Sequence, residues 1–378
     1  MDKIRDAKTA ALKAITRKRA LAAAGAVVLV AAAAGTVFGS RDSFSIKADV
    51  EKQDAVKAVS KKAPEVPKLD VALYDKKMLA LANIPAPKVA TGASVATGST
   101  VQKTQPWPTK APYPKPGALL PFNRIVAYYG NFYSKGMGVL GEYSPDVMLQ
   151  KLKAEAANWQ AADPETPVIP AIHYIAITAQ GSPGKDGKYR LRMPDDQIDK
   201  ALELAQKVNG IVFIDLQVGL STVAAELPVY EKYLKMPNVH LGLDPEFAMQ
   251  PSGKKPGSVI GTMSSADINY AAKYLAKLVT ENNLPPKILI VHRFTGPMVT
   301  GARSITPLPE VQIVMDMDGW GFGAKKINTY NTVVAAEPVQ FTGFKLFYKN
   351  DLRAPSTRLL TPAEVLSLSP KPIYIQYQ

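Results

Sequence analysis

The 378-residue chain is 47% hydrophobic and 21% charged, enough length and apolar material for a large buried core. Its net charge of +14 is concentrated in residues 1–120, where 20 Lys and Arg face 9 Asp and Glu, whereas residues 121–378 hold 26 against 23. A folded part so close to neutral argues against nucleic acid as a partner. The absence of cysteine excludes disulfides, thiolate nucleophiles and Cys-ligated zinc.

Residues 1–20 form a basic tail that ends in Arg17, Lys18 and Arg19. Leu21 to Phe38 follows as an uncharged run of Ala, Val and Leu, near the minimum length that spans a bilayer. The cations before it hold the N-terminus in the cytoplasm. The run reads as an uncleaved single-pass anchor in the cell membrane. The alternative is a signal peptide cleaved after Gly39, which leaves a secreted chain. In both readings the rest of the chain lies outside the cytoplasm.

Residues 39–120 are rich in Lys, Ala, Pro, Ser and Thr, with five prolines between Gln105 and Pro116. This composition predicts a solvated, disordered, partly polyproline-like linker, interrupted by a short helix near Val71 to Ala82.

From residue 121 to 378 short apolar runs alternate with amphipathic stretches. Strands are predicted at Arg124–Tyr129, Val168–Ile175, Gly210–Val218, Val239–Glu246, Lys287–Phe294, Val311–Asp318, Phe341–Tyr348 and Pro372–Tyr377. Helices are predicted at Pro145–Ala161, Pro194–Val208, Val223–Leu234, Ser265–Asn282, Ala324–Ala335 and Pro362–Leu368. Ser144-Pro145 and Thr361-Pro362 place a capping hydroxyl before a first-turn proline. Alternation of strand and helix implies parallel strands, and eight units in this length predict a (β/α)8 TIM barrel. Thr295–Glu310, with Pro and Gly and no helical pattern, predicts a shortened or missing fifth helix.

Reacting groups of such barrels come from the C-terminal ends of the strands. The polar residues there are Tyr129 and Asn131, His173, Asp215 and Gln217, Asp244 and Glu246, His292 and Arg293, Asp316 and Asp318, Lys345 and Tyr348, and Gln376. Unpaired buried carboxylates cost several kcal/mol, so five at the ends of three strands point to a site. Asp244 and Glu246, two apart in a predicted strand, would both face the lumen. Asp244 is then placed to raise the pKa of Glu246, as a general acid requires. Structural hydrogen bonding and metal binding are the other readings of the pair.

An Asp-x-Glu at the end of the fourth strand resembles the acid motif of (β/α)8 glycoside hydrolases, in the chitinase-like and Asp-x-Glu lysozyme-like families. The resemblance implies that Glu246 protonates a glycosidic oxygen with Asp244 assisting. Met315-Asp316-Met317-Asp318 is loosely similar to the Met-x-Tyr region of chitinase-like barrels, without the Tyr. The acidic run that precedes the motif in that family is replaced here by residues such as Val239 and Gly242.

A glycosidase needs a second carboxylate or a substrate-borne nucleophile. Asp316, Asp318 and Asp215 are the candidates for the carboxylate. Tyr129, Phe132, Tyr133, Trp320, Phe322 and Tyr348 are available to stack on sugars, and the loop Met249–Met263, with Lys254 and Lys255, is expected to shape access. The expected function is acid-assisted hydrolysis of an envelope or exopolysaccharide glycan by a membrane-anchored extracytoplasmic enzyme, without cofactor or metal. The alternatives are a metal-dependent hydrolase using His173, His292 and a nearby Asp, and a non-catalytic glycan-binding or scaffold barrel.

Overall fold

The computed structural model describes residues 68–84 and 107–378. The proposed anchor Leu21–Phe38 lies outside the described residues, and among the described residues no helix is long and apolar enough to cross a membrane.

Eight parallel strands form a closed barrel: β1 Arg124–Gly130, β2 Val168–Ala179, β3 Ile211–Leu216, β4 Val239–Leu243, β5 Lys287–Arg293, β6 Val311–Met317, β7 Phe341–Leu346 and β8 Tyr374–Tyr377. They pair in chain order, and β1 closes the ring by pairing with both β2 and β8. β4 ends at Leu243, not at Glu246, because Pro245 has no N–H to continue the ladder. Asp244 instead caps a single 3₁₀ turn, Pro245–Phe247, and accepts from the Glu246 N–H at 3.1 Å. β2 overshoots the barrel rim and meets an antiparallel return, Arg190–Arg192, that the sequence pattern did not announce.

Helices Pro145–Ala162, Asp195–Gln206 and Ser265–Glu281 cover the outside of the barrel. The β3–β4 crossover breaks into three short helical pieces between Val223 and Leu234, with Pro228 at the first break. Between β5 and β6 the helical structure is limited to two single 3₁₀ turns, Gly296–Met298 and Ala302–Ser304, flanking a two-residue strand, Val299–Thr300, that pairs with Met263–Ser264, where the shortened or missing helix was expected. A full capping box opens the helix Pro362–Leu366 from Thr361 and Glu364. Ser144 stands before Pro145 as expected but makes no capping hydrogen bond.

Alternation along each strand separates two cores. One face, with Val126, Ile172, Ile214, Leu241, Val291 and Met315, packs against the helices. The other face fills the lower lumen with Ile125, Ala171, Phe213, Ile290, Val314 and Phe341. Each fully buried side chain of this kind contributes about 1.5–3 kcal/mol.

The lower lumen is closed by residues the sequence suggested were spacer. Helix Val71–Ala82, started by Asp70 accepting from Leu73 N–H at 2.9 Å, turns Tyr74, Met78 and Leu81 into the lumen core. Asn83 fastens its end, donating to the carbonyls of Leu366 and Leu368 at 3.1 and 2.9 Å. Gln312 binds the backbone of Leu119 and Leu120, and Trp107 donates to the Gln340 carbonyl at 3.1 Å. The linker read as 39–120 is corrected accordingly: 68–84 and 107–120 are part of the barrel domain, held by apolar burial and long-range hydrogen bonds.

Candidate active site

Up the lumen, the inward-facing residues of several strands change from apolar to polar. Ile125-Ala127-Tyr129, Phe213-Asp215-Gln217, Ile288-Ile290-His292 and Val314-Asp316-Asp318 are four such series. The polar layer divides into a sealed floor and a lining.

The floor consists of His173, Asp215, His292 and Asp316, all fully buried. Asp215 Oδ1 lies 3.3 Å from His173 Nε2 and 3.5 Å from His292 Nε2, while Asp215 Oδ2 accepts from the Tyr129 hydroxyl at 2.8 Å. His292 Nδ1 is 3.3 Å from both Asp316 Oδ2 and Asp318 Oδ2. His173 Nδ1 is 2.6 Å from the Tyr374 hydroxyl, which also accepts from Gln376 at 2.7 Å. Two glycines make room for this layer. A Cβ on Gly242 would stand 2.4 Å from Asp215 Oδ1, and one on Gly343 would stand 2.5 Å from Asp316 Oδ1.

Burial dominates the electrostatics of the floor, modified by neighbouring charge. It pulls His173 down to about 4. It opposes ionisation of Asp215 too, but hydrogen bonds and charge from His173 and His292 outweigh it and hold the carboxyl below its usual range. His292 goes the other way, since Asp215, Asp316 and Asp318 overcome the burial penalty and push it well up.

Above the floor is an open cavity of about 850 Å³, lined by Tyr129, Gln217, Asp244, Glu246, Asp318 and Lys345 among others, with Trp320 at its rim. Lys345 Nζ pairs with Asp318 Oδ1 at 2.9 Å and sits 4.0 Å above the centre of the Tyr129 ring. Gln217 donates to Asp244 Oδ2 at 3.1 Å. Burial, then repulsion from Asp318, lifts half-buried Glu246 from 4.5 to about 7. Asp244 was expected to be that perturbing neighbour. The two carboxyls do repel each other: Asp244 is itself raised by burial and by Asp215 and Glu246, and its hydrogen bonds shape the turn that aims Glu246.

The other expected site residues divide by register. Arg293, one residue past the inward-facing His292, points outward and pairs with Glu337 at 2.8 Å. Tyr348 also lies outside the lumen, where its hydroxyl meets those of Tyr128 at 2.9 Å and the Glu155 carboxylate at 2.8 Å. Asn131 does not line the cavity, because the chain bends after Gly130 and its amide is spent on Tyr174 and the Ile175 carbonyl. Gln376 is buried beside the floor, 3.1 Å from His173 Nδ1. Phe132 stacks on Tyr174 with ring centres 4.9 Å apart, and no residue of Met249–Met263 lines the cavity.

Sequence reasoning missed Tyr374, Phe347 and the strap behind the rim. In that strap the buried Lys326 and Asp351 pair at 3.0 Å. Asp351 accepts from the backbone N–H groups of Gly321 and Phe347, both at 2.9 Å, so one carboxylate fixes the Trp320 loop to the end of β7. Trp320 itself is 45% exposed, with Lys325 and Arg353 4.9 and 5.1 Å from its ring.

No protein-family model matches the sequence, and no curated protein matches it. Among solved structures the chain is similar to the cellulose synthase subunit Z of Clostridioides difficile, with 11% identity over 68% of this chain and 92% of that one and a TM-score of 0.34. It is similar to HPPK-DHPS of Plasmodium falciparum, at 12% identity over 68% and 44% with a TM-score of 0.31. A third is the mannanase BCman of Bacillus subtilis, at 14% identity over 68% and 81% with a TM-score of 0.32.

Proposed function

We propose that the barrel is a glycoside hydrolase that cleaves an envelope or exopolysaccharide glycan by general acid catalysis, tethered outside the cytoplasm by Leu21–Phe38. The observation that carries the reading is Glu246, a cavity-lining carboxyl lifted to about 7, beside the ionic pair Asp318–Lys345. A carboxyl near 7 is protonated often enough at neutral pH to donate to a leaving oxygen. Of the candidates for a second carboxylate, Asp318 alone lines the cavity, whereas Asp215 and Asp316 are sealed beneath it. In this reading Glu246 protonates the glycosidic oxygen and Asp318, with Lys345 holding it, acts on the anomeric side as nucleophile or as base for water. Trp320 offers an exposed indole face at the rim for a sugar ring.

The test is sugar release by the purified full chain from a panel of envelope glycans, with Glu246→Gln alongside. Loss of the general acid should lower kcat by about 10²–10⁴-fold. Release that is unchanged in Glu246→Gln would refute the assignment. Glycan retained without any turnover by the native chain would make the barrel a binding module.

A further inference from the structure

We infer that His173, Asp215 and His292 form a binding site for a single divalent transition-metal ion in the floor of the cavity. The inference stands apart from the glycosidase reading and concerns side chains that reading leaves unused. The three project from β2, β3 and β5 at one level of the lumen, and one atom of each lies within 4.8 Å of the others. Two of the separations, 3.3 and 3.5 Å, are close to the edge of about 3.3 Å that donors about 2.0–2.1 Å from a tetrahedral ion would show.

The hydrogen bonding leaves the point where the three side chains converge open to a ligand. His173 Nε2, Asp215 Oδ1 and His292 Nε2 face one another at 3.3 and 3.5 Å, yet none of the three has a hydrogen bond of good geometry, a state that buried polar atoms rarely keep. Two of the three outward-facing atoms of the same side chains are attended. Asp215 Oδ2 has the Tyr129 hydroxyl, and His173 Nδ1 has the Tyr374 hydroxyl with the Gln376 amide 3.1 Å away, while His292 Nδ1 lies 3.3 Å from the carboxylates of Asp316 and Asp318 without a hydrogen bond of good geometry. Metal-bound histidines characteristically turn their second nitrogen to a carboxylate or another oxygen acceptor, which fixes ring orientation and tautomer.

Space and charge agree with this. Gly242 faces the convergence point, and any Cβ there would fill it, standing 2.4 Å from Asp215 Oδ1 and 2.5 Å from His173 Nε2. Asp215, Asp316 and Asp318 meet around His292, and Lys345 is the one lysine or arginine among the described residues in ion-pair contact with them. A dication is attracted to such a cluster of carboxylates. Two imidazole nitrogens and one carboxylate oxygen suit zinc, cobalt or ferrous iron better than calcium or magnesium.

The experiment uses the full chain, stripped with a chelator and then titrated with Co²⁺ alone and with Zn²⁺ alone. One equivalent of Co²⁺ should give visible d–d absorption of a low-symmetry site, which one equivalent of Zn²⁺ abolishes. Zn²⁺ should also raise the Tm of the stripped chain, and chelator should reverse the rise. His173→Gln with His292→Gln should lose the bound equivalent, while His240→Gln at the barrel bottom keeps it. With no cysteine and only three histidines in the chain, few other strong sites compete. Absence of the Co²⁺ spectrum from the unmutated chain overturns the site, whether or not the variants fold. A bound equivalent that survives in the double variant, folded by circular dichroism, overturns it too. Neither readout depends on sugar release.

Discussion

Glu246→Gln should make the protein more stable, by a margin that grows as pH rises from about 4.5 to about 7 and then levels off. The substitution keeps the shape of the side chain and removes its charge. Folding raises the carboxyl from 4.5 to about 7, so the folded state resists ionisation that the unfolded state accepts. For a raised carboxyl the associated stability is fully present below the unfolded value and is lost as pH climbs through the folded one. At about 1.4 kcal/mol per pH unit, the loss reaches about 3 kcal/mol by about pH 8. The variant escapes it. In a domain of this size about 1 kcal/mol moves Tm by about 2–4 °C, so Glu246→Gln should melt roughly 6–12 °C higher near pH 8 and together with the native chain near pH 4. Calorimetric melts of both proteins across that range are the assay. A Tm difference independent of pH, or a lower Tm for the variant near pH 8, would refute the claim that Glu246 is held in a state hostile to its charge.

Two further perturbations test the rim and the base of the barrel. Trp320→Ala removes a 45% exposed ring, so stability should change by less than about 0.5 kcal/mol while KM for the glycan rises more than kcat falls; steady-state kinetics with a parallel melt separates the two. Met78→Ala empties a side chain that is 6% exposed within the lumen core and should cost about 2–5 kcal/mol. Urea unfolding of the full chain should show one transition at lower urea, and an unmoved midpoint would mean that helix Val71–Ala82 lies outside the cooperative unit.

How much of this was legible in the sequence depends on the range of the interaction concerned. The strands were readable because each apolar run is local, and the absent fifth helix was readable because Pro and Gly interrupt its stretch. Register was readable in principle: His292 and Arg293 are adjacent, only one can face the lumen, and the apolar series Ile288-Ile290 settles it for His292. Treating every polar residue near a strand end as a candidate lost that distinction, and with it Arg293 and Tyr348. Tyr374 could have been found by the same rule, two residues before Gln376 on one face. The docking of helix Val71–Ala82 could not. Its Tyr74, Met78 and Leu81 spell a helical stripe, but which surface the stripe covers is set by contacts with residues up to 290 positions away, such as Leu81 with Lys371.

The raised carboxyl of Glu246 has causes beyond its neighbour Asp244, and the difference bears on mechanism. A strand pair, Asp244 beside Glu246, would tie the acid's pKa to its nearest neighbour in sequence. Pro245 breaks that arrangement, and the carboxyl is lifted by its burial and by Asp318 from two strands away. Asp318 is in turn positioned by Lys345 from β7 and by His292 from β5. Asp215 and Asp316 draw positive charge onto that imidazole from below. The tuning of Glu246 is therefore a property of the closed ring of strands. A change in the floor that moves Asp318 should displace the Glu246 titration without touching Glu246, because Asp318 is its leading charged perturber.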